Sequence, residues 1–475
     1  MIDLKDLTIK KAHEALASGK FTVGELVNAY LEVIKEKNKD INAYLEVYKD
    51  IESQVKIAEE MFKNGEATLL TGIPIALKDN ILFDGHISSA GSKILENYTS
   101  SYDSFVVEKL KKQGVIFLGR TNMDEFAMGS STQTSAFGVT KNPIDPTRVP
   151  GGSSGGSAAA LALDMCLASL GTETCGSVRQ PASFCGLVGL RTTYGSISRS
   201  GIISMGSSLD QVGPMGKKVE DVEIIFNAMN GYDKKDSTSI PEEKRNSYLS
   251  NKQSLRKRIA IPRDFLSGEG IDKEVLKNFE DSCDKLKKAG YELVDVSLPI
   301  LKYSLAVYYV IMPAEVSSNL ARYDGIRYGL SENGNNLLDV YKKSRGKGFG
   351  KEARRRILLG TYILSHGYYD AYYNTALKVR KAIKDELFNL FKDFDAFITP
   401  TVPFPPFKLG EKLDDPVAMY LSDIFSAPAN LADIPSISIP SGKTENGLPL
   451  GIQFTAPFLR EDILFSVGKD FEKLV

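Results

Sequence analysis

The apolar residues of segment 22–36 recur with the period of an α-helix. Thr22 and Glu25 stand in the spacing of a capping box, so the pattern predicts a helix that begins after Thr22. Segments 104–114 and 157–163 also predict helices. One face of the first predicted helix carries Val23, Leu26, Val27, Tyr30, Leu31 and Ile34.

Short apolar runs bounded by turn residues predict buried strands. Strands and helices alternate along the chain, which favours an α/β fold with a sheet covered by helices. The polar segment 232–257 is expected to lie on the surface, and the proline-rich segment 400–407 is expected to form a rigid active-site or surface loop. The predicted strands are 73–77, 115–121, a segment near 166–173, 258–262, 291–298, 394–400, 436–440 and 451–455.

The charge balance narrows the class of protein. The chain has 475 residues, with 59 Lys and Arg against 60 Asp and Glu, so its formal net charge is −1. Binding to nucleic-acid phosphates depends on an excess of Lys and Arg, and the chain is therefore not expected to bind nucleic acid unaided. We expect neither a membrane span nor a secretory signal peptide.

Cysteine and histidine form no local motif. The four cysteines include no CxxC pair, which predicts free thiols and a cytoplasmic location. The three histidines are scattered, so any catalytic base is expected to be another residue type. No metal site is expected.

Segment 150–163 joins a glycine- and serine-rich run to an apolar helix, and three interpretations compete for it. A flexible linker would not lead directly into an alanine- and leucine-rich helix. A phosphate-binding loop would need the pattern GxxxxGK[ST], and no lysine follows here. The remaining interpretation is a helix N-terminus whose free backbone N–H groups stabilise developing negative charge.

Four sequence blocks carry a more specific signal when they are taken in order. In that order they resemble the amidase signature family, and the similarity continues through 207–215 to the C-terminus. The resemblance implies one domain, residues 1–475, with a mixed, twisted sheet covered by helices on both faces. It also implies a signature core of about 72–215 and a glutamine-pocket and partner-contacting part of about 300–475. The four blocks are 72–81, 119–132, 142–162 and 171–195.

The family uses a serine, a second serine in a cis peptide, and a lysine. The resemblance places the nucleophile at Ser177, the bridging serine at Ser153 after Gly152, and the base at Lys78. A lysine with its ordinary pKa near ~10.4 is protonated at neutral pH and cannot act as a base. Burial favours the neutral form, and the apolar strand before Lys78 is consistent with burial.

The family stabilises the reaction's oxyanion with backbone N–H groups before the nucleophile, which here belong to Thr174, Cys175 and Gly176. The sequence departs from the family's usual Asp-Thr-Gly-Gly-Ser, because Glu173 and Cys175 replace the aspartate and a glycine. If position 175 requires a positive φ, cysteine is strained there; if it does not, the donor is retained. Ser177, at the family's nucleophile position, is favoured over a reactive Cys175.

Three C-terminal segments resemble one branch of the family, the glutaminase subunits of tRNA-dependent amidotransferases. In that branch, an arginine and an aspartate hold the charged ends of free glutamine, which implies Arg356 for the α-carboxylate and Asp423 for the α-ammonium. Charge patterning alone would make Arg356 a solvated residue in a run of three arginines. The further implied substrate contacts are Gly129, Ser130 and either Tyr308 or Tyr309. The three segments are 317–329, 349–380 and 414–442.

Proteins of this branch work in a heterotrimer. The resemblance implies a B subunit that binds and phosphorylates the misacylated tRNA with ATP and Mg²⁺, and a small C subunit that clasps the other two. It implies no cofactor in this chain. Ammonia from glutamine would serve Glu-tRNA(Gln) or Asp-tRNA(Asn). Two alternatives stay open: a stand-alone amidase acting on another amide, and a non-catalytic scaffold in which Cys175 marks a decayed site.

Overall fold

The computed structural model describes residues 2–250, 255–268, 270–413 and 415–475. Within these residues, eleven strands form one sheet. Their bounds are β1 Tyr44–Val47, β2 Pro74–Lys78, β3 Ile116–Thr121, β4 Ala168–Glu173, β5 Val188–Arg191, β6 Gln211–Gly216, β7 Arg258–Pro262, β8 Glu292–Val296, β9 Ala396–Pro400, β10 Ser436–Lys443 and β11 Pro449–Thr455.

The strands lie in the order β1-β3-β2-β4-β6-β5-β10-β11-β9-β7-β8. Strand β2 runs parallel to both β3 and β4, and β7 runs parallel to both β8 and β9. The other neighbouring pairs are antiparallel. The predicted α/β fold with a mixed sheet is therefore confirmed.

Helices flank this sheet. In the described residues, the α-helices are α1 Ile9–Ala17, α2 Val23–Ile41, α3 Ile51–Asn64, α4 Phe105–Lys111, α5 Gly155–Ala162, α6 Arg179–Phe184, α7 Val219–Met229, α8 Glu242–Ser250, α9 Arg263–Leu266, α10 Lys273–Lys288, α11 Ser304–Asn319, α12 Leu337–Gly348, α13 Lys351–Ile363, α14 Thr375–Leu390, α15 Pro416–Tyr420, α16 Ala427–Leu431 and α17 Glu461–Glu472. Shorter 3₁₀ segments are Lys93–Leu95, Glu125–Ala127, Pro299–Tyr303, Leu320–Arg322 and Leu421–Asp423, and Tyr369–Asn374 is a π-helix.

The capping box predicted for helix α2 is present. Thr22 Oγ1 accepts a hydrogen bond from the Glu25 N–H at 3.1 Å, and the Glu25 carboxylate accepts one from the Thr22 N–H at 2.8 Å. The helix extends past the predicted end and stops at Asn42, whose left-handed backbone (φ 57°) ends it. Five of the six predicted apolar positions are buried, and Leu31 is half-buried.

All eight predicted strands are present, with ends that differ by a few residues. Strands β1, β5 and β6 were missed by the pattern. Strand β1 has four residues, β5 contains a glycine, and β6 contains glycine and proline, and these residues weaken a strand pattern. Pairing with neighbouring strands in the sheet stabilises them instead.

The expectation that 232–257 is a surface segment was wrong in part. The segment contains helix α8, and the side chains of Asp233, Asp236 and Arg245 are buried. Asp236 accepts hydrogen bonds from the half-buried Arg199 guanidinium, so an ion pair joins this segment to the rest of the fold. Residues 251–254 of the segment lie outside the described residues.

The proline-rich segment 400–407 follows β9 and packs against the protein. Val402 and Phe407 are buried in a small cluster with Val149 and Phe184. The Val149 N–H also donates a hydrogen bond to the Phe407 carbonyl at 3.0 Å. This segment therefore supports the residues that lead into the glycine- and serine-rich run.

Strands β2 and β4 place the candidate site. They are parallel neighbours in the interior of the sheet, and every residue of both is buried. Their carboxyl ends therefore lie at the same edge, where α/β proteins commonly bind ligands. Strand β2 ends at Lys78 and β4 ends at Glu173.

Candidate active site

The glycine- and serine-rich run packs tightly against the loop around Asp124. The peptide bond between Gly152 and Ser153 is cis, and helix α5 begins two residues later. A Cβ on Gly152 would lie 2.1 Å from Asp124 Oδ2, so a larger residue does not fit there. Residues 150–161 are all buried, and the run is therefore a rigid part of the core and not a flexible linker.

Lys78 is fully buried at the end of β2. Its Nζ donates hydrogen bonds to Ser153 Oγ at 2.7 Å and to the Thr172 carbonyl at 3.1 Å. Burial lowers the pKa of Lys78 to about 7, although carboxylates such as Asp124 oppose this shift. A substantial neutral fraction therefore exists near pH 7, and the lysine can accept a proton through the Ser153 hydroxyl.

Ser177 lies on the wall of a small cavity, which we call the inner cavity. Its carbonyl accepts a hydrogen bond from the Ser154 N–H at 3.2 Å, which joins the two serine-bearing segments. Within the described residues, no hydrogen bond links the hydroxyls of Ser153 and Ser177. Such relay bonds are often long without substrate and shorten only when it binds.

A buried carboxylate holds the turn that carries Ser177. Glu173 Oε2 accepts hydrogen bonds from the N–H groups of Val178 and Arg179, both at 3.1 Å. Its Oε1 accepts from Arg179 Nε at 2.9 Å and Nη2 at 2.6 Å. The glutamate that replaces the family's aspartate therefore caps helix α6 and neutralises a buried arginine.

The backbone of this turn offers unpaired donors. Thr174 Oγ1 donates to the buried carboxylate of Asp210 at 2.6 Å, which anchors the start of the turn. Within the described residues, the N–H groups of Thr174, Cys175, Gly176 and Ser177 donate to no protein acceptor. Successive free N–H groups beside a serine hydroxyl are suited to stabilise the oxyanion that forms when such a hydroxyl attacks a carbonyl group.

Cys175 fits the turn without backbone strain, because it is not among the described residues with a positive φ. Its side chain is buried and lines the inner cavity, with Sγ 3.5 Å from Ser426 Oγ. Burial raises the pKa of the thiol, which therefore stays protonated. At Gly176, by contrast, a Cβ would lie 2.8 Å from Ser426 Oγ, so a larger residue would force the Ser426 side chain to shift.

Arg356 and Asp423 line the same inner cavity as Ser177. Arg356 is only 3% exposed, whereas Arg354 on the same helix is exposed. Asp423 Oδ2 accepts a hydrogen bond from the Tyr309 hydroxyl at 2.8 Å. Burial raises the pKa of Asp423 to about 6, so the carboxylate is largely ionised at neutral pH. One cation and one anion therefore face the serine.

The remaining implied substrate contacts also reach this cavity. The Ser130 carbonyl accepts a hydrogen bond from Gln180 Nε2 at 2.9 Å, which fixes the loop beside the turn that carries Ser177. A Cβ on Gly129 would lie 2.4 Å from Asp124 Cγ, so the loop approaches that carboxylate closely. Gly129, Ser130 and both tyrosines, Tyr308 and Tyr309, are among the residues that line the inner cavity.

Two residues beside Arg356 were missed by the sequence reasoning. Glu352 Oε1 accepts hydrogen bonds from Arg356 Nε at 2.6 Å and from the Tyr420 hydroxyl at 3.1 Å. The four-residue spacing of Glu352 and Arg356 on a helix was a usable signal for their pairing. Tyr420 carries no such signal, because only the tertiary fold brings it to Glu352.

Three further findings concern the described part of the chain. All four cysteines lie within it as buried free thiols, as predicted. No group of three or more His, Cys, Asp or Glu side chains there is arranged to hold a metal ion. No helix in that part has both the length and the apolar character needed to cross a membrane.

The sequence matches a known family over most of its length. The family model described as Amidase matches residues 25–465, and the chain belongs to this family. The A subunit of the glutamyl-tRNA(Gln) amidotransferase of Clostridium botulinum (strain Okra / Type B1) is 54% identical over 414 residues, which cover 87% of this chain and 85% of that protein. The protein of the same name from Thermodesulfovibrio yellowstonii is 52% identical over 404 residues, covering 84% and 83%.

Solved structures share the fold. The A subunit of the glutamyl-tRNA(Gln) amidotransferase from Thermotoga maritima superposes with a TM-score of 0.80 at 38% identity, covering 100% of this chain and 96% of that one. The peptide amidase of Stenotrophomonas maltophilia gives a TM-score of 0.80 at 25% identity, covering 98% and 96%. The resemblance to the amidase signature family is therefore confirmed, and the chain is an amidase-family enzyme.

Proposed function

We propose that the chain is the glutaminase subunit of a tRNA-dependent amidotransferase, which supplies ammonia for converting Glu-tRNA(Gln) to Gln-tRNA(Gln). The observation that carries this proposal is the inner cavity, where Ser177 shares the wall with Arg356 and Asp423. Free glutamine has an α-carboxylate and an α-ammonium group, so its pocket needs a cation and an anion. A simple amide needs neither. The names of relatives with 52–54% identity agree with the proposal.

The first half-reaction forms an acyl-enzyme. Neutral Lys78 takes the Ser153 proton while Ser153 takes the Ser177 proton, and Ser177 Oγ attacks the side-chain carbonyl carbon of glutamine. The carbonyl π electrons move to oxygen, where the N–H groups of Thr174, Cys175 and Gly176 stabilise the negative charge. The C–N bond then breaks, the proton returns through Ser153 to nitrogen, and ammonia leaves.

The second half-reaction regenerates the enzyme. Lys78 and Ser153 remove a proton from water, which attacks the γ-glutamyl ester on Ser177. The C–O bond to Ser177 breaks, the proton returns to its oxygen, and glutamate leaves. Arg356 holds the α-carboxylate and Asp423 holds the α-ammonium throughout, so the side-chain amide stays beside Ser177.

The released ammonia needs a second protein to use it. In this proposal a B subunit binds the tRNA and activates it with ATP and Mg²⁺, and a C subunit joins the two in a cytoplasmic heterotrimer. The net charge of −1 agrees with a chain that leaves tRNA to its partner. Residues of about 72–215 supply the chemistry, and residues of about 300–475 complete the glutamine pocket and contact partners. Asp-tRNA(Asn) is a second candidate acceptor.

The test assembles the chain with B and C subunits and supplies ATP and Glu-tRNA(Gln). Wild type and Ser177→Ala are compared with glutamine or ammonium as the nitrogen source. Ser177→Ala is expected to lower glutamine-dependent product by at least about 10³-fold and to leave ammonium-dependent product unchanged. Loss of both activities in a folded complex would contradict this division of labour. A wild type that hydrolyses simple amides but not glutamine would favour a stand-alone amidase.

A further inference from the structure

A second cavity lies next to the inner cavity, and the two share a wall. The outer cavity is lined by Glu352, Lys412 and Tyr420, among other residues. Arg356 and Gly129 line both cavities. The Arg356 guanidinium therefore stands in the partition between an outer space and the space that contains Ser177.

One carboxylate holds this arginine. Glu352 lies one helical turn before Arg356 on α13, and its Oε1 accepts hydrogen bonds from Arg356 Nε and from the Tyr420 hydroxyl. The other oxygen of Glu352 pairs with Arg355. Glu352 thus connects α13 to Tyr420, the last residue of α15, across a sequence separation of 68 residues.

The same chain of contacts reaches the anionic residue of the pocket. The Tyr420 ring stacks on Tyr309 with ring centres 4.0 Å apart and planes 20° apart. The Tyr309 hydroxyl donates to Asp423 Oδ2 at 2.8 Å. Arg356 Cζ lies 5.1 Å from the centre of the Tyr309 ring and 4.8 Å from that of Tyr420. The two proposed substrate-binding charges are therefore held by one connected set of side chains.

The donors of Arg356 divide between protein and cavity. Its Nε donates to Glu352, and its Nη1 contacts Met312 Sδ at 3.2 Å. Within the described residues, Nη2 donates to no protein acceptor. An arginine held in one rotamer loses less entropy when it binds a carboxylate, so affinity depends on the groups that hold it.

We infer that Glu352 and Tyr420 are positioning residues for recognition of the substrate's α-carboxylate. Glu352 holds Arg356 in place through the hydrogen bond to Nε. Tyr420 holds Glu352 through its hydroxyl and holds Tyr309 through ring stacking. Neither residue lines the inner cavity, so both act through Arg356 and Asp423 and affect glutamine binding more than chemistry. This inference rests on the proposed function, because it presupposes that free glutamine is the substrate.

The experiment measures glutamine hydrolysis by the assembled complex and separates KM from kcat. Glu352→Ala removes the acceptor for Arg356 Nε and is expected to raise KM about tenfold, with kcat changed less than about threefold. Glu352→Gln retains an acceptor oxygen and is expected to return KM to within about threefold of wild type. Tyr420→Phe keeps the ring stacking and loses one hydrogen bond, so KM is expected to rise about threefold.

The matched control is Arg354→Gln, on the same helix but facing solvent, for which KM and kcat are expected to match wild type. If Glu352→Gln and Glu352→Ala raise KM equally, charge and not positioning matters, and the inference is wrong. A fall in kcat at unchanged KM would also overturn it. If Glu352→Ala does not fold, the KM values of Tyr420→Phe and Glu352→Gln decide whether the inference is correct. Absence of glutamine hydrolysis by wild type would contradict the proposed function itself.

Discussion

The two sides of the inner cavity are built by different means. On the serine side, Lys78 ends a buried strand, and Ser153 and Ser177 lie in turns that lead into short helices. Close backbone packing places these residues, since a Cβ on Gly152 would lie only 2.6 Å from the backbone nitrogen of Ser131. On the charged side, hydrogen bonds and ring contacts between side chains of distant helices place the binding groups.

This difference predicts two kinds of response to substitution. A site placed by backbone packing cannot accommodate added atoms, because protein interiors are close-packed and an added methyl group forces the surrounding residues to shift. A site placed by side-chain contacts loses one contact at a time, and its binding affinity falls in steps. We therefore expect large losses of rate on the serine side and graded changes of KM on the charged side.

Among the changes that compare the two sides, the largest effect is expected for Gly152→Ala. The new Cβ would overlap the Asp124 carboxylate, so kcat is expected to fall by at least about 10²-fold and the free energy of unfolding by about 1–3 kcal/mol. Glutaminase kinetics and urea unfolding measure these changes. Gly346→Ala is the control, since a Cβ there meets nothing within 4 Å and the residue lies in helix α12. Near-wild-type activity of Gly152→Ala would refute placement by backbone packing.

A smaller effect is expected for Arg356→Lys. Lysine keeps the charge but loses the planar guanidinium and the bond that Nε makes with Glu352. We expect KM for glutamine to rise about 10- to 100-fold while kcat changes much less. Steady-state kinetics with Arg354→Lys as control make the comparison. An unchanged KM would show that the guanidinium does not bind the substrate.

The pH dependence is expected to separate the two sides. Lys78 must be neutral and Asp423 ionised, and burial sets their pKa values to about 7 and about 6. The value of kcat/KM should therefore fall about tenfold per pH unit below 7 and more steeply below 6. Asp423→Asn should remove the additional fall of kcat/KM below pH 6 and should leave the fall that begins near pH 7. A flat profile from pH 6 to 9 is incompatible with Lys78 as the base.

The smallest effect is expected for Cys175→Gly. The substitution removes a protonated thiol from the cavity wall and keeps the backbone N–H, so kcat/KM should change by less than about threefold. Kinetics of the variant in the assembled complex provide the measurement. A loss greater than about 100-fold would mean that the thiol takes part in the reaction.

The serine side could be predicted from the sequence because its residues lie in continuous motifs. The apolar run before Lys78 predicted strand β2, and the glycines around Ser153 are required by the close approach of neighbouring backbone. Strands β5 and β6 could not be predicted, because the glycine in β5 and the glycine and proline in β6 obscure the strand pattern, and pairing within the sheet forms these strands nonetheless.

The charged side was predictable only in part. Helical spacing does not distinguish Arg356 from Arg354 within three consecutive arginines; the family resemblance pointed to Arg356, and the fold buries Arg356 and exposes Arg354. Tyr420 meets Glu352 across 68 residues, and its hydroxyl has no local sequence partner that signals this role. Such contacts arise from the packing of distant helices, which periodicity and motif spacing do not encode.

The most direct test of the account identifies the atom that carries the acyl group. The assembled complex is quenched in acid during glutamine turnover, digested and mapped by mass spectrometry, with Ser177→Ala as control. The account predicts a γ-glutamyl ester on the peptide that contains Ser177 and fragmentation that places it on Ser177. An acyl group on Cys175, or glutamine turnover that persists in Ser177→Ala, would contradict it.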